Sequence, residues 1–169
     1  MPPQIAVIIE AETDNRNRAM AELRLIVKNH GGNATPTNYL FKRKGRVAFE
    51  KDEKGLGIDE ILDDAIEAGA EDVEMDEDGG IVVWTEPGVT FAAAAALSKS
   101  HGLKVASSDI LWDANMDTKI EIQDSEAKEL INFMDELQEN PYTQGIYANL
   151  SQGSLSEDVW EKIQERLDS

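Results

Sequence analysis

The 169-residue sequence contains no cysteine. Disulfide bridges, thiolate metal ligands and a cysteine nucleophile are thereby excluded, and a reducing compartment fits. Histidine is nearly as scarce. His30 and His101 stand alone, with no acidic or histidine neighbour at ligand spacing, so no metal and no cofactor are expected. Aromatic residues amount to 6%, and Trp84, Trp112 and Trp160 read as core or staple residues rather than stacking platforms. No apolar run approaches the roughly 20 residues that a membrane-spanning helix needs. The opening MPPQIAVIIE has neither the basic region nor the cleavage site of a signal peptide. No nucleophile with a base in reach, and no carboxylate pair in a pocket, can be assembled from local spacing, so an enzyme is not expected.

Positive charge is also in short supply, and it is unevenly placed. The formal net charge is −18. Residues 1–49 carry 8 Lys/Arg against 4 Asp/Glu, residues 50–117 carry 4 against 18, and residues 118–169 carry 4 against 12. One basic segment thus leads two acidic ones, and a polyanion is attracted to the first and repelled by the rest.

The hydrophobic pattern alternates strands with helices. IAVIIEAE, residues 5–12, reads as a buried strand. In TDNRNR, Thr13, Asp14 or Asn15 caps a helix running to about Asn29, with Ala19, Met20, Leu23, Ile26 and Val27 as its buried stripe. Arg24 and Lys28 share the opposite face, with Arg18 beside it. His30-Gly31-Gly32 stops the helix. NYLF and RVAFE read as two short strands around a basic turn, KRKG. The acidic segment repeats this order: helix IDEILDDAIEA, strand EDVEM, turn DEDGG, strand IVVWT, helix VTFAAAAALSKS, strand LKVASSDILW. DEDGG is an acidic hairpin turn and not a calcium loop, since the sixth position from Asp76 is Ile81 where such a loop needs glycine. TKIEI reads as a strand, DSEAKELINFMDELQ as a helix with Leu130, Ile131, Met134 and Leu137 inward, and QGIYANL as a last strand. SLSEDVWEKIQERL reads as a terminal helix capped by Ser156 and stapled by Leu155 against Trp160. The class implied is α+β, with split β-α-β units.

The strand before TDNRNR, the helix ending in HGG, the stretch FKRKG, AIEAGAEDVE at 65–74 and WTEP at 84–87 together resemble the YebC/PmpR family. The similarity runs from about Ile5 to Asn149. That family holds bacterial proteins labelled transcriptional regulators and mitochondrial members described as translational activators of cytochrome c oxidase. The alternation of elements suits two ferredoxin-like modules, and the resemblance implies that the second, the family's ferredoxin-like third domain, is inserted in the first: residues 1–49 with 118–152 as the family's second α/β domain, 50–117 as its third, and 153–169 as a C-terminal helical extension. It also implies a preceding basic helical domain, and Met1-Pro2-Pro3 stands where the second domain begins. The tail beyond Leu150 departs from the bacterial ending, which suggests a mitochondrial version, with a bacterial cytoplasmic protein as the alternative.

The function expected is a non-enzymatic translation factor acting at the ribosome through rRNA or a ribosomal protein. Its contact residues would be Arg16, Arg18, Arg24, Lys28, Lys42, Arg43, Lys44 and Arg46, with arginine forks serving phosphates. The missing basic domain would be the main nucleic-acid contact, duplex DNA would bind this chain weakly or not at all, and no membrane partner is expected. Two alternatives stand beside this: a DNA-binding transcriptional regulator of the same family, and a ligand-sensing ferredoxin-like module with a pocket.

Overall fold

A computed structural model describes residues 5–168; the opening Met1-Pro2-Pro3 lies outside them. In chain order the elements are β1 (Val7–Ala11), α1 (Arg16–Asn29), β2 (Phe41–Phe49), α2 (Ile58–Glu67), β3 (Ala70–Met75), β4 (Ile81–Thr85), α3 (Thr90–His101), β5 (Val105–Ala114), α4 (Asp124–Glu139), β6 (Thr143–Ala148) and α5 (Glu157–Gln164). The class is α+β. Two compact units are formed, one by Met1–Lys42 with Trp112–Ser169, the other by Arg43–Leu111. The divisions fall inside β2 and β5, whereas the sequence reading placed them at 49/50 and 117/118.

In the first unit β1 and β6 pair antiparallel, Val7 opposite Ala148 and Ile9 opposite Ile146. Alternation sends Val7, Ile9, Ile146 and Ala148 to one face, where they meet the helices. The helix α4 supplies the centre of that core, with Ala127, Leu130, Phe133, Met134 and Leu137 all fully buried. From α1 come Leu23 and Ile26, and from α5 Ile163. Ser156 accepts from the Val159 N–H and caps α5, while Leu155 and Trp160 join the same core. Phe133, not Ile131, completes the inward stripe of α4: Ile131 is only half-buried.

One buried polar residue closes this unit. Asn149, 2% exposed, accepts the Ala6 N–H at its Oδ1 (2.8 Å) and donates from Nδ2 to the Thr118 carbonyl (2.9 Å). Its own N–H donates to the Ala6 carbonyl (3.2 Å). Three separate chain segments therefore meet at one amide, which bonds through both its oxygen and its nitrogen.

The second unit runs β2-α2-β3-β4-α3-β5, and its sheet has the order β3-β4-β2-β5. Both crossovers are split β-α-β units, as the sequence pattern implies. Val47, Phe49, Ile81 and Val83 of the sheet pack against Ile61 and Ala65 of α2 and Ala94 and Leu97 of α3. At the tip between β3 and β4, the Asp76 carboxylate accepts from the Asp78 and Gly80 N–H groups and fixes the acidic turn.

Three expectations are corrected. KRKG is not a turn: β2 passes through it unbroken. Gly45 is there for close approach. A Cβ on it would lie 1.7 Å from Thr90 Oγ1 and 2.5 Å from Thr85 Oγ1, two buried hydroxyls that bond each other at 2.8 Å. A lone glycine among cations looks the same in sequence whether it serves a turn or a strand. NYLF is not a strand at its start, because Asn38–Leu40 forms a 3-10 turn. TKIEI contributes only an isolated bridge, Ile120 to Leu150. Among the described residues the first unit's sheet consequently has two strands.

Two variants test these packing arguments. Asn149→Ala strands the Ala6 amide and the Thr118 carbonyl, and is expected to destabilise the first unit by about 2 kcal/mol or more, measured by chemical denaturation. Gly45→Ala is expected to destabilise the second unit by about 1–3 kcal/mol through overpacking, read as faster amide exchange in β2 and β4 with α1 and α4 unaffected.

Candidate nucleic-acid interface

The helix α1 carries four cations, Arg16, Arg18, Arg24 and Lys28, against one carboxylate, Glu22. Asn15 is its cap, the side-chain oxygen accepting from the Arg18 N–H at 3.1 Å, and Thr13 Oγ1 in turn accepts from the Asn15 N–H. The helix ends at His30, whose N–H bonds back to Ile26, and Gly31 follows at φ 76°. His30 Nε2 meets Glu136 of α4 at 2.5 Å, an acidic partner 106 residues away that local spacing does not reveal.

Residues four apart lie one above another on a helix. Arg16, Met20, Arg24 and Lys28 therefore form one row, and all four are exposed. Met20, expected in the buried stripe, stands 38% exposed. Its position four residues from both Arg16 and Arg24 puts it at the edge of the stripe, among the cations. Arg18 is not part of this row. Its Nε donates to Glu22 Oε1 at 3.2 Å, and that hydrogen bond to a carboxylate raises its pKa further above the usual arginine value. Glu22 also accepts from Asn140 Nδ2 at 3.2 Å. Arg18 is thus a charge already engaged, whereas the row holds three cations and no carboxylate.

The row borders a groove. A cavity of about 600 Å³ is lined by Val7 and Ile9 of β1, by Leu23, Arg24 and Val27 of α1, and by the loop 31–37. A smaller one of about 300 Å³, sharing Met20 and Leu23 with it, continues to Ala11 and Arg16. Among the described residues neither lining contains a carboxylate.

The remaining expected contacts are placed differently. Lys42 is exposed at the start of β2 and belongs to the first unit, while Arg43, Lys44 and Arg46 belong to the second. Strand alternation sends Lys44 and Arg46 to one face and Arg43 to the other. Arg46 lies opposite Trp84 in the ladder, its guanidinium 5.8 Å from the ring centre, and the Trp84 indole N–H donates to Glu74 Oε1 at 2.9 Å. That row mixes both signs. The Trp112 indole likewise donates to Glu10 (2.9 Å). The arrangement that sequence reading missed is the 16-20-24-28 spacing, which was legible as an uninterrupted i, i+4 series.

These elements occur in the same order in known proteins. The family described as TACO1/YebC second and third domain matches residues 1–150. The chain belongs to this family. A protein of Rubrobacter xylanophilus named "probable transcriptional regulatory protein" is 36% identical over 165 residues, covering 96% of this chain and 62% of that protein. One of the same name from Nitrosococcus oceani is 36% identical and covers 96% and 63%. The crystal structure of a conserved hypothetical protein from Aquifex aeolicus superposes with a TM-score of 0.68 at 31% identity, covering 92% of this chain and 64% of that one. The chain thus spans less than two thirds of the length of these TACO1/YebC relatives.

Replacing the cap tests whether the helix start is held as described. Asn15→Ala is expected to cost about 1 kcal/mol in denaturant unfolding of the first unit, while Thr13→Ala costs less, since Thr13 supports the cap and not the helix.

Proposed function

We propose that this chain is a non-catalytic regulatory module of gene expression, and that Arg16, Arg24 and Lys28 of α1 make its nucleic-acid contact. The observation carrying this is the exposed row of three cations without a carboxylate, in a chain of net charge −18. The names of the bacterial relatives favour a transcriptional regulator. So does the surface of α1, where Asn17 is exposed beside Arg16 and Arg18, residue types that read base edges from a helix in the major groove. Bacterial relatives also favour a bacterial setting over a mitochondrial one. Among the described residues no helix is long and apolar enough to cross a membrane.

A second reading, a translation factor whose α1 meets rRNA or a ribosomal protein, is favoured by the same net charge. Extended duplex contact brings many phosphates toward a predominantly anionic surface, whereas a compact ribosomal site asks for few. Lys42, Arg43, Lys44 and Arg46 belong to either reading as auxiliary contacts.

Salt-titrated binding to duplex DNA, structured RNA and ribosomes separates the two. Replacing Arg16, Arg24 and Lys28 together by alanine is expected to reduce the log-log salt slope by about 2–3, on DNA for the first reading and on ribosomes for the second. Arg18→Ala is expected to change it by less than about 1. A slope unchanged by the triple substitution on all three targets removes the row from the interface.

A further inference from the structure

The two edges of the β1–β6 sheet are finished differently. Hydrogen-bonded pairs alternate with non-bonded pairs along an antiparallel ladder. The main-chain bond from Asn149 N–H to Ala6 carbonyl fixes the phase, so Ile8 and Glu10 turn their N–H and C=O groups toward β6, while Val7 and Ile9 turn theirs away. The β6 side agrees. Ile146, opposite Ile9, points its groups outward, where Asp168 takes both: the Ile146 N–H donates to Asp168 Oδ2 at 2.7 Å, and the Asp168 N–H donates to the Ile146 carbonyl at 2.9 Å. The chain's own tail closes the outer edge of β6. Among the described residues no strand pairs with the outer edge of β1.

That open edge adjoins the groove along α1. Its floor is apolar, with Val7, Ile9, Leu23 and Val27. Arg24 is the charged residue in the larger cavity and Arg16 in the smaller, and no carboxylate lines either. An unpaired ladder calls for another main chain in extended form. An apolar floor takes every second side chain of such a strand, and flanking arginines take an acidic one.

We propose that the groove between β1 and α1 binds an extended, acidic segment of a partner polypeptide, which adds to the sheet at Val7 and Ile9 and places a carboxylate against Arg24. This goes beyond the nucleic-acid reading and does not rest on it, since a phosphate backbone makes no use of paired N–H and C=O groups. In this arrangement Lys28, outside both cavity linings, remains available to a polyanion while the groove is filled.

The test uses the full chain and a synthetic probe, an acetylated and amidated octapeptide of alternating valine and threonine with one central aspartate. At saturation the amides of Val7 and Ile9 are expected to exchange at least tenfold more slowly, with other β1 amides changing less. The same peptide N-methylated at alternate amides is expected to give no protection. Exchanging its aspartate for lysine is expected to weaken binding tenfold or more, and Arg24→Glu to reverse that preference. Ile9→Pro removes an N–H that the β1–β6 ladder does not use, so it is expected to abolish peptide binding and leave the nucleic-acid salt slope unchanged. Should that variant not fold, the N-methylated peptide and Arg24→Glu decide alone. The proposal is overturned if the peptide protects neither amide, or if the N-methylated form protects equally. Octanoate binding in the same groove with equal strength would make it a small-acid cavity instead. Concentration-dependent dimerisation that protects Val7 and Ile9 without peptide would make the occupant a second copy.

Discussion

Ala6 and Asn149 are 143 residues apart, and their contact joins the two pieces of chain that build the first unit. Its core takes Ile5, Leu23 and Ile26 from the beginning of the chain and Ile122 through Ile163 from the end, so neither piece can bury its apolar face alone. A side-chain amide is well suited to the junction. It supplies an acceptor and two donors in one plane, and in a dry setting each main-chain group it satisfies would otherwise cost about 1–3 kcal/mol. Whatever lies between the two pieces must return the chain to the same place, and the second unit, a complete split β-α-β sheet of its own, does so.

The same economy recurs at the helix ends. Both helices that stop at a His-Gly pair bring their imidazole to a carboxylate of a neighbouring helix in their own unit: His30 to Glu136 (2.5 Å) and His101 to Asp64 (2.6 Å). Each histidine sits where the helix C-terminus carries partial negative charge, and each is tied to the helix packed beside it. The two units thus share a way of locking helix pairs at a His-Gly helix end.

Much of this architecture was legible because burial imposes periodicity. The helices α1, α2, α4 and α5, the β3–β4 hairpin and the Ser156 cap follow from local sequence, which also narrows the cap of α1 to Thr13, Asp14 or Asn15. The parts that were not legible depend on contacts remote in sequence. Gly45 reads as a turn until Thr85 and Thr90 are seen to occupy the space of its missing side chain. TKIEI alternates like a strand, yet only Ile120 finds a bridge partner, at Leu150. At the candidate site, the charges of Arg16, Arg24 and Lys28 and the i,i+4 spacing of Arg18 and Glu22 are local, but the bond from Asn140 to Glu22, 118 residues away, is not. The open edge of β1 was invisible, since sequence gives no sign of which strands lack neighbours.

The placement of cations on α1 bears on whether selection for stability alone explains it. Three other helices begin with two acidic residues each in their first turn: Asp59 and Glu60 in α2, Asp124 and Glu126 in α4, Glu157 and Asp158 in α5. In a chain so rich in carboxylates this is the favourable arrangement, because the helix N-terminus carries partial positive charge. The first turn of α1 has none, and holds Arg16 and Arg18 instead. Each exposed mismatch of this kind costs roughly 0.3–1 kcal/mol at low ionic strength, and acidic residues are the commonest charged residues available to relieve it. Arg18 recovers part of that cost through Glu22, one turn along the helix. Arg16, at the head of the row and lining the smaller cavity, has no such relief through any hydrogen bond or ion pair among the described residues, so helix stability does not account for its presence there, whereas the negatively charged partner proposed for the groove would.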